Sequence, residues 1–296
     1  MFEVKGVWPA MATPLTVDEQ IDKPAIAKLA EYLVSGGVHG MLVLGSTGEF
    51  PAMNESMRAE VVEEALLAVN GRIPVTLGCG EPGTQRTIEQ VRAAHQYKQG
   101  LAALVVAVPY YFPLDQNGII RHYEMVADAS ELPIIAYDFP QMTKNGMTVD
   151  TVARLAKHPN IIGLKASSGD FFMTQRFVDV SKEENFAIMA GNPAIGLAAY
   201  ELGAKGGIYA GCSLFPKQCA DVYNYLMAGE KDKAIELQKR VSLIPMMGSF
   251  GPNSAVVKFG LNKLGICGTT VAAPAALPAG NEQKIIEWMA RIGIQV

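Results

Sequence analysis

The chain has 296 residues, a formal net charge of −4 and 49% hydrophobic residues, which is enough for one large domain or two small ones with a sizeable core. The mild negative charge contains no basic block, so nucleic acid and anionic membranes are poor candidate partners. No apolar run reaches the roughly 18 residues that a membrane span needs, and the N-terminal residues lack the signal-peptide pattern. The four cysteines are scattered and contain no CxxC pair. Together these observations favour a reduced, cytoplasmic protein.

Eight short apolar runs recur along the chain, beginning near residues 7, 40, 73, 101, 132, 161, 186 and 206. They are continuous rather than alternating, which is typical of parallel strands buried on both faces. Helical patterns lie between them, such as the segment that starts near Pro24 and ends at two glycines. This repeated alternation favours a (β/α)8 barrel (a TIM barrel) over an open doubly wound sheet. The GxGxxG motif that is typical of many doubly wound sheets does not follow any predicted strand.

The alternation stops after Phe215, and the remaining sequence has helical patterns without a long linker. We therefore predict a catalytic barrel domain over residues 1–225. Residues 226–296 are predicted to form a C-terminal helical extension that packs on the barrel.

The active site of such a barrel lies at the carboxyl ends of its strands, and one lysine ends the sixth predicted strand. Lys165 in "GLKA" lies within the apolar segment rather than in the polar loop that follows. One interpretation is a side chain that extends to solvent. The other is a desolvated amine whose lowered pKa lets it attack a carbonyl group and form a Schiff base.

Tyrosine side chains end two other predicted strands. Tyr137 ends the fifth strand, where it is either a core residue or, beside Lys165, a group that relays protons. The "PYY" segment after the fourth strand, which contains Tyr111, is interpreted from its residues alone as an aromatic packing cluster.

The loop "GSTGE" follows the second predicted strand at residues 45–49. Its two glycines allow a tight turn in which the amides of Ser46 and Thr47 point at an anion. The alternative is an ordinary strand-to-helix turn with hydroxyl caps.

The sequence predicts no metal site. The histidines lie in or beside helical patterns, and Asp138 and Glu49 are the only carboxylates at predicted strand ends, which are too few for a cation site.

The motifs "GSTGE", "PYY", "YDFP" and "GLKASSGD", in this order, resemble the dihydrodipicolinate synthase/N-acetylneuraminate lyase family. The resemblance covers essentially the whole chain. It implies a (β/α)8 barrel enzyme of the class I aldolase type that acts on pyruvate or another 2-oxo acid. It also implies a covalent lysine Schiff base without a further cofactor or metal, and a homotetramer built as a dimer of dimers.

The resemblance also implies roles for individual residues. Lys165 corresponds to the Schiff-base lysine and Tyr137 to the proton-shuttling tyrosine. Ser46 and Thr47 correspond to the pair that binds the pyruvate carboxylate, with hydroxyls linked to the tyrosine. The remaining matches are Tyr111, inserted by a dimer partner to complete the relay, and Gly191 and Ile208, whose backbone lines the pocket. Ser167 is a further candidate for substrate binding.

Three positions depart from the family's better-known patterns. Met142 stands where synthase members carry an arginine that binds the carboxylate of aspartate semialdehyde. Binding of that carboxylate would be weakened unless Lys144 or another cation takes the place of the arginine. Asn192 follows Gly191, where sialic-acid lyases carry an Asp-Glu pair. Asp138 replaces the usual asparagine.

These departures make a 2-keto-3-deoxy sugar acid the favoured substrate, with pyruvate and an aldehyde as the products or reactants. Its hydroxyl groups are expected to meet polar side chains, namely Gln141, Thr143, Ser167 and Asn192. The alternatives are 4-hydroxy-tetrahydrodipicolinate synthase, which condenses pyruvate with aspartate semialdehyde, and a dehydratase of keto-deoxy sugar acids. A fourth hypothesis is a non-catalytic regulator that binds a 2-oxo acid.

Overall fold

A computed structural model describes residues 2–296, and it contains a strand at each of the eight predicted apolar runs. Every strand is largely or wholly buried, as expected for continuous apolar segments. The strands are β1 (Gly6–Pro9), β2 (Met41–Val43), β3 (Val75–Cys79), β4 (Leu101–Ala107), β5 (Ile134–Asp138), β6 (Ile161–Ala166), β7 (Ala187–Ala190) and β8 (Gly206–Tyr209).

The strands form one sheet in the order β1-β8-β7-β6-β5-β4-β3-β2. Neighbouring strands from β4 to β8 pair in parallel. A further parallel bridge joins Ala10, directly after β1, to Leu42 in β2, so both ends of the strand order are linked. The predicted (β/α)8 barrel is confirmed.

Helices follow the strands as the apolar periodicity predicted. The start of α1 illustrates the local cause, since Asp22 accepts a hydrogen bond from the Ala25 amide and Pro24 occupies the first turn. The helices that alternate with the strands are α1 (Lys23–Ser35), α2 (Glu55–Val69), α3 (Thr84–Ala94), α4 (Gln116–Asp128), α5 (Pro140–Thr143), α6 (Val149–Leu155), α7 (Phe171–Ser181) and α8 (Gly196–Glu201).

The C-terminal residues are helical, as predicted: α9 (Pro216–Met227), α10 (Lys231–Val241), α11 (Asn253–Lys263) and α12 (Glu282–Ile292). In α12 the buried residues Ile285, Trp288, Met289 and Ile292 recur at helical spacing. The Trp288 indole N–H donates a hydrogen bond to the Leu243 carbonyl at 2.8 Å. Burial of one apolar face therefore positions this last helix.

The chain forms two compact units, each built from two segments. The first contains the N-terminal segment up to Gly6 and Thr76–Ile208, and the second contains Val7–Val75 and Tyr209–Val296. The division at residue 225 stays a prediction. None of the helices in residues 2–296 combines the length and the apolarity needed to cross a membrane.

Candidate active site

The two residues predicted to carry the chemistry lie on neighbouring strands of the first unit. Tyr137 of β5 is paired in register with Lys165 of β6. Both side chains are buried, with exposed fractions of 5% and 4%. Parallel pairing places residues in register at the same level of the sheet, so the structure brings these two predicted residues together.

Lys165 is buried without a carboxylate partner among residues 2–296, and its Nζ atom lies 4.1 Å from the centroid of the Tyr137 ring. Burial lowers the pKa of its ammonium group from 10.5 to about 7, because the charged form loses hydration. The interpretation of Lys165 as a solvent-directed surface cation is therefore wrong. A large fraction of the side chain is the free amine at neutral pH, which is the form that attacks a carbonyl carbon.

The backbone of β5 holds Tyr137 in a fixed position. Its N–H donates to the hydroxyl of Tyr123 in α4 at 3.3 Å, and that hydroxyl donates to the Val106 carbonyl of β4 at 2.8 Å. The Tyr137 ring is stacked on Phe139 with 5.9 Å between centroids. Tyr137 therefore has little freedom to move away from Lys165.

Ser167 and Gly191 follow β6 and β7 and are packed tightly together. The Ser167 amide donates to the Asp138 carbonyl at 2.9 Å, and the Gly191 amide donates to the Ala166 carbonyl at 2.7 Å. A Cβ atom on Gly191 would lie 2.7 Å from the Cα atom of Ser167 and closer still to its Oγ. Position 191 therefore requires glycine, and the two predicted residues are neighbours.

Ile208 lies in β8 and is fully buried. The expectation that its backbone lines the pocket stays a prediction.

Asp138, which ends β5, is a buried carboxyl group. One of its oxygens accepts a hydrogen bond from the Met147 amide at 3.0 Å. Burial raises the pKa of Asp138 from 3.8 to about 6, an effect that this hydrogen bond opposes. This hydrogen bond joins Asp138 to the backbone of the loop that follows α5, so its carboxyl group helps to hold that loop in place.

Asn145 is a buried residue that the sequence analysis did not single out. Its amide group donates to the carbonyls of Pro109 and Phe112, both at 2.8 Å, and accepts from the Leu114 amide at 2.9 Å. Asn145 thus fixes the loop that carries Tyr111. A buried asparagine that satisfies a distant loop has no local sequence pattern, and only the fold reveals it.

Tyr111 is not part of an interior aromatic cluster. Its side chain is 82% exposed, its φ of 80° lies in the left-handed region, and its ring meets Phe112 edge-on at 5.0 Å. A non-glycine residue with this φ is strained and needs support from its surroundings, which Asn145 supplies. The interpretation of "PYY" as a packing cluster fails at Tyr111.

The segment after β5 contains the departures from the better-known family patterns. Met142 is 66% exposed. Gln141 donates through Nε2 to the Ser168 carbonyl at 2.5 Å, and the exposed Lys144 donates to the Gln141 carbonyl at 3.2 Å. Lys144 therefore has a local backbone partner.

Two further polar side chains of this region are also hydrogen-bonded to backbone. The Thr143 hydroxyl donates to the Asn145 carbonyl at 2.7 Å, and Asn192 Oδ1 accepts from the Ala194 amide at 2.9 Å. Ser167 Oγ makes no hydrogen bond to any of residues 2–296. The groups left for a ligand are Ser167 Oγ, Gln141 Oε1 and Asn192 Nδ2.

The GSTGE loop belongs to the second unit, and its turn differs from the prediction. The left-handed residues are Leu44 and Glu49, with φ of 53° and 62°, rather than the glycines. Gly48 is closely packed instead, because a Cβ atom there would lie 3.0 Å from the Leu44 Cα and 3.1 Å from the Met11 carbonyl oxygen. Packing, not backbone freedom, explains this glycine.

The residues predicted to bind a carboxylate lie within this turn. Ser46 is exposed and Thr47 is buried. Neither the amide nor the hydroxyl of Thr47 is hydrogen-bonded to another group of residues 2–296. A turn with an unpaired amide donor is suited to an anion.

Glu49 is one of the two strand-end carboxylates that the sequence analysis judged too few for a cation site, and it is paired with a lysine. Its carboxylate lies 2.6 Å from the ammonium group of Lys258 in α11, a residue that the sequence analysis missed because it is distant along the chain. Residues 2–296 contain no group of three or more histidine, cysteine, aspartate or glutamate side chains that could hold a metal ion.

Comparison with known proteins places this arrangement in a family. The model of the dihydrodipicolinate synthetase family matches residues 3–288. The 4-hydroxy-tetrahydrodipicolinate synthase of Phenylobacterium zucineum is 33% identical, over 91% of this chain and 90% of that protein.

Solved structures agree with this match. The chain is similar to YagE, a prophage protein of E. coli solved in complex with pyruvate (TM-score 0.92, 28% identity, 98% of both chains covered). It is also similar to a monomeric dihydrodipicolinate synthase variant (TM-score 0.92, 27% identity, 98% and 97% covered). The chain therefore belongs to the dihydrodipicolinate synthetase family and is a lyase of the class I aldolase type.

Proposed function

We propose that the protein cleaves or forms a carbon–carbon bond at C3 of pyruvate through a Schiff base on Lys165, and that its substrate is a 2-keto-3-deoxy sugar acid. The observation that carries the first part is the buried Lys165 amine against Tyr137, with a pKa of about 7. Chains similar to this one include a protein solved with pyruvate.

The proposed reaction uses the neutral amine as a nucleophile. Lys165 Nζ attacks the keto carbon of the 2-oxo acid, and the carbinolamine loses water to give an iminium ion. Tyr137 takes the proton of the C4 hydroxyl group as the C3–C4 bond breaks, and the iminium accepts the released electron pair, so that an aldehyde leaves and an enamine remains. Protonation at C3 and hydrolysis then release pyruvate and regenerate the lysine, and the reverse sequence forms the bond.

The other residues have the roles that the resemblance implies. Tyr137 donates a proton to the carbinolamine oxygen as water leaves, and it then accepts the proton of the C4 hydroxyl group as the aldehyde forms. Ser46 and Thr47 bind the carboxylate of the 2-oxo acid, Gly191 and Ile208 line its pocket, and Tyr111 completes the relay in a second copy of the chain.

The proposed sugar-acid substrate follows from the segment after β5. Met142 occupies the position of the carboxylate-binding arginine, and Lys144 is engaged with the Gln141 carbonyl. A semialdehyde with a carboxylate therefore lacks a bidentate partner there. Hydroxyl groups, in contrast, find suitable partners in Ser167 Oγ, Gln141 Oε1 and Asn192 Nδ2.

The second candidate is 4-hydroxy-tetrahydrodipicolinate synthase, which the name of the Phenylobacterium relative favours. A dehydratase would use the same iminium to expel water instead of breaking a carbon–carbon bond. A regulator would bind the 2-oxo acid without turnover.

Trapping with borohydride tests the Schiff base. Pyruvate and borohydride should add one reduced pyruvyl group to the intact protein, and peptide mapping should place it on Lys165. Lys165→Met should abolish the adduct, whereas Lys144→Met, which removes an exposed lysine of the neighbouring loop, should not. A wild-type protein without an adduct, or with one on another lysine, would overturn the proposal.

A kinetic comparison then tests the substrate. Keto-deoxy sugar acids should be cleaved to pyruvate and an aldehyde faster than pyruvate condenses with aspartate semialdehyde. Faster condensation would establish the synthase, a dehydrated 2-oxo acid as product would establish the dehydratase, and an adduct without any turnover would establish the regulator.

We further propose a homotetramer built as a dimer of dimers, in which the exposed Tyr111 of one subunit serves its partner. Light scattering measures the oligomer. Full activity of a monomer would contradict this role for Tyr111, and one similar structure is of a monomeric variant.

A further inference from the structure

A buried ion pair lies at the end of the GSTGE loop, within the second unit. Lys258 is fully buried and Glu49 is 7% exposed, with 2.6 Å between their charged atoms. Two charges removed from water are a poor source of stability, because desolvation offsets most of their attraction. Such a pair instead favours one geometry, since each charge needs the other in place.

Each partner also binds backbone of one C-terminal segment. The second oxygen of Glu49 accepts a hydrogen bond from the Ala272 amide at 2.7 Å. The Lys258 ammonium group donates to the Thr270 carbonyl at 2.7 Å. The side chain of Glu49 is therefore held at both oxygens, by α11 on one side and by residues 270–272 on the other.

The loop needs this support because its backbone is strained. Leu44 and Glu49, one at each end, have left-handed φ values that side chains other than glycine rarely adopt. The Gly48 carbonyl between them accepts a hydrogen bond from Thr13 Oγ1 at 2.7 Å. Thr13 fixes the loop from within the fold, and Lys258 fixes its last residue.

Thr47 lies in this supported loop, two residues before Glu49, and its amide and hydroxyl groups are unpaired. We propose that Glu49 and Lys258 are positioning residues that hold Ser46 and Thr47 in the conformation that binds the carboxylate of the 2-oxo acid. This inference rests on the proposed function, because it assigns that carboxylate to the loop. Neither residue is expected to touch substrate.

The proposal separates carboxylate binding from Schiff-base formation, so two carbonyl probes test it. Pyruvate carries a carboxylate, and hydroxyacetone does not, but both form an imine with an amine. In Lys258→Met, the half-saturating pyruvate concentration for borohydride trapping should rise about tenfold or more, as expected when charge-assisted contacts to an anion are weakened. The half-saturating hydroxyacetone concentration should stay within about twofold of wild type.

Ile285→Ala is the matched control, since it truncates a fully buried side chain of α12 in the same unit and lowers stability without touching the loop. It should leave both half-saturating concentrations unchanged. If Lys258→Met does not fold, the combination of Lys258→Met with Glu49→Gln removes both charges and avoids an unpaired buried carboxylate. The same selective loss of pyruvate binding is expected.

The outcomes distinguish the two proposals. A wild-type protein that traps neither probe on Lys165 contradicts the proposed function. A wild-type protein that traps both, together with a Lys258 variant whose pyruvate saturation is unchanged, contradicts the positioning role. Equal losses for pyruvate and hydroxyacetone also contradict it, because they show a general structural effect.

Discussion

The ammonium nitrogen of Lys165 lies 4.1 Å from the centroid of the Tyr137 ring, and the two residues are paired in register on adjacent strands. A cation over an aromatic ring is stabilised only modestly, and burial is the cause of the low pKa of the lysine. The fold thus holds an amine in its reactive form beside a hydroxyl-bearing ring. That arrangement imposes a cost on stability that can be measured.

We predict that Lys165→Met stabilises the protein at neutral pH. The folded pKa of about 7 lies below the ordinary 10.5, so the unfolded chain binds more protons between these values, and this lysine makes the free energy of unfolding rise with pH across that window. Methionine has similar volume and no charge. The variant should be more stable than wild type by roughly 1–4 kcal/mol at pH 7, with a difference that shrinks toward pH 10.

Urea unfolding at several pH values measures this difference. Lys144→Met is the control, since Lys144 is exposed and its removal should change stability little at any pH. A Lys165→Met protein that is less stable than wild type at pH 7 would show that Lys165 is held by favourable contacts rather than by the fold around it.

Tyr137→Phe should separate imine formation from turnover. Phenylalanine retains the ring beside Lys165 and its stacking on Phe139, but it has no hydroxyl group to transfer protons. We expect kcat to fall by about 10²–10⁴-fold, the usual contribution of a positioned acid–base group, while borohydride still traps pyruvate on Lys165. The measurement combines steady-state kinetics with intact mass. Unchanged kcat would exclude Tyr137 from the proton relay.

The sequence predicted those parts of the molecule that depend on local patterns. Continuous apolar runs located all eight strands, because a strand buried on both faces has no polar alternation. Lys165 and Tyr137 end neighbouring predicted strands, and the ends of paired parallel strands lie at the same edge of the sheet. Their proximity could therefore be predicted.

Contacts between distant segments could not be predicted in this way. Asn145 fixes the Tyr111 loop more than 30 residues earlier, and Lys258 pairs with Glu49 across most of the chain. Each is an ordinary polar residue within its own segment, so its role depends on what the fold brings against it. The left-handed φ values of Leu44 and Glu49 were missed for a related reason, because tertiary contacts there override residue preference.

Gly191→Ala should destabilise the protein and disturb Ser167. The added methyl group would lie 2.7 Å from the Ser167 Cα, and backbone on both sides limits relaxation. We expect a loss of about 1–3 kcal/mol, as for other overpacked sites, together with weaker substrate binding. Gly83→Ala is the control, because no atom lies within 4 Å of an added Cβ there. Equal thermal midpoints for the two variants would show that the Gly191 site yields without cost.

Asp138→Asn should stabilise the protein above pH 6. Burial raises the folded pKa of Asp138 to about 6 from 3.8. The folded state therefore binds more protons between these values, and the free energy of unfolding falls as pH rises through that window. Asparagine keeps an oxygen to accept the Met147 amide and carries no buried charge.

The gain should be about 1–2 kcal/mol at pH 7 and should shrink toward pH 4, because the folded carboxyl group is neutral there and the unfolded one is close to its own pKa of 3.8. Urea unfolding between pH 4 and pH 7 measures it. Asp150→Asn, at an exposed position in the first turn of α6, is the control and should show no such gain, because it loses a favourable charge near a helix N-terminus. An Asp138→Asn protein that is less stable than wild type at pH 7 would mean that the ionised carboxylate has a stabilising partner that outweighs its desolvation.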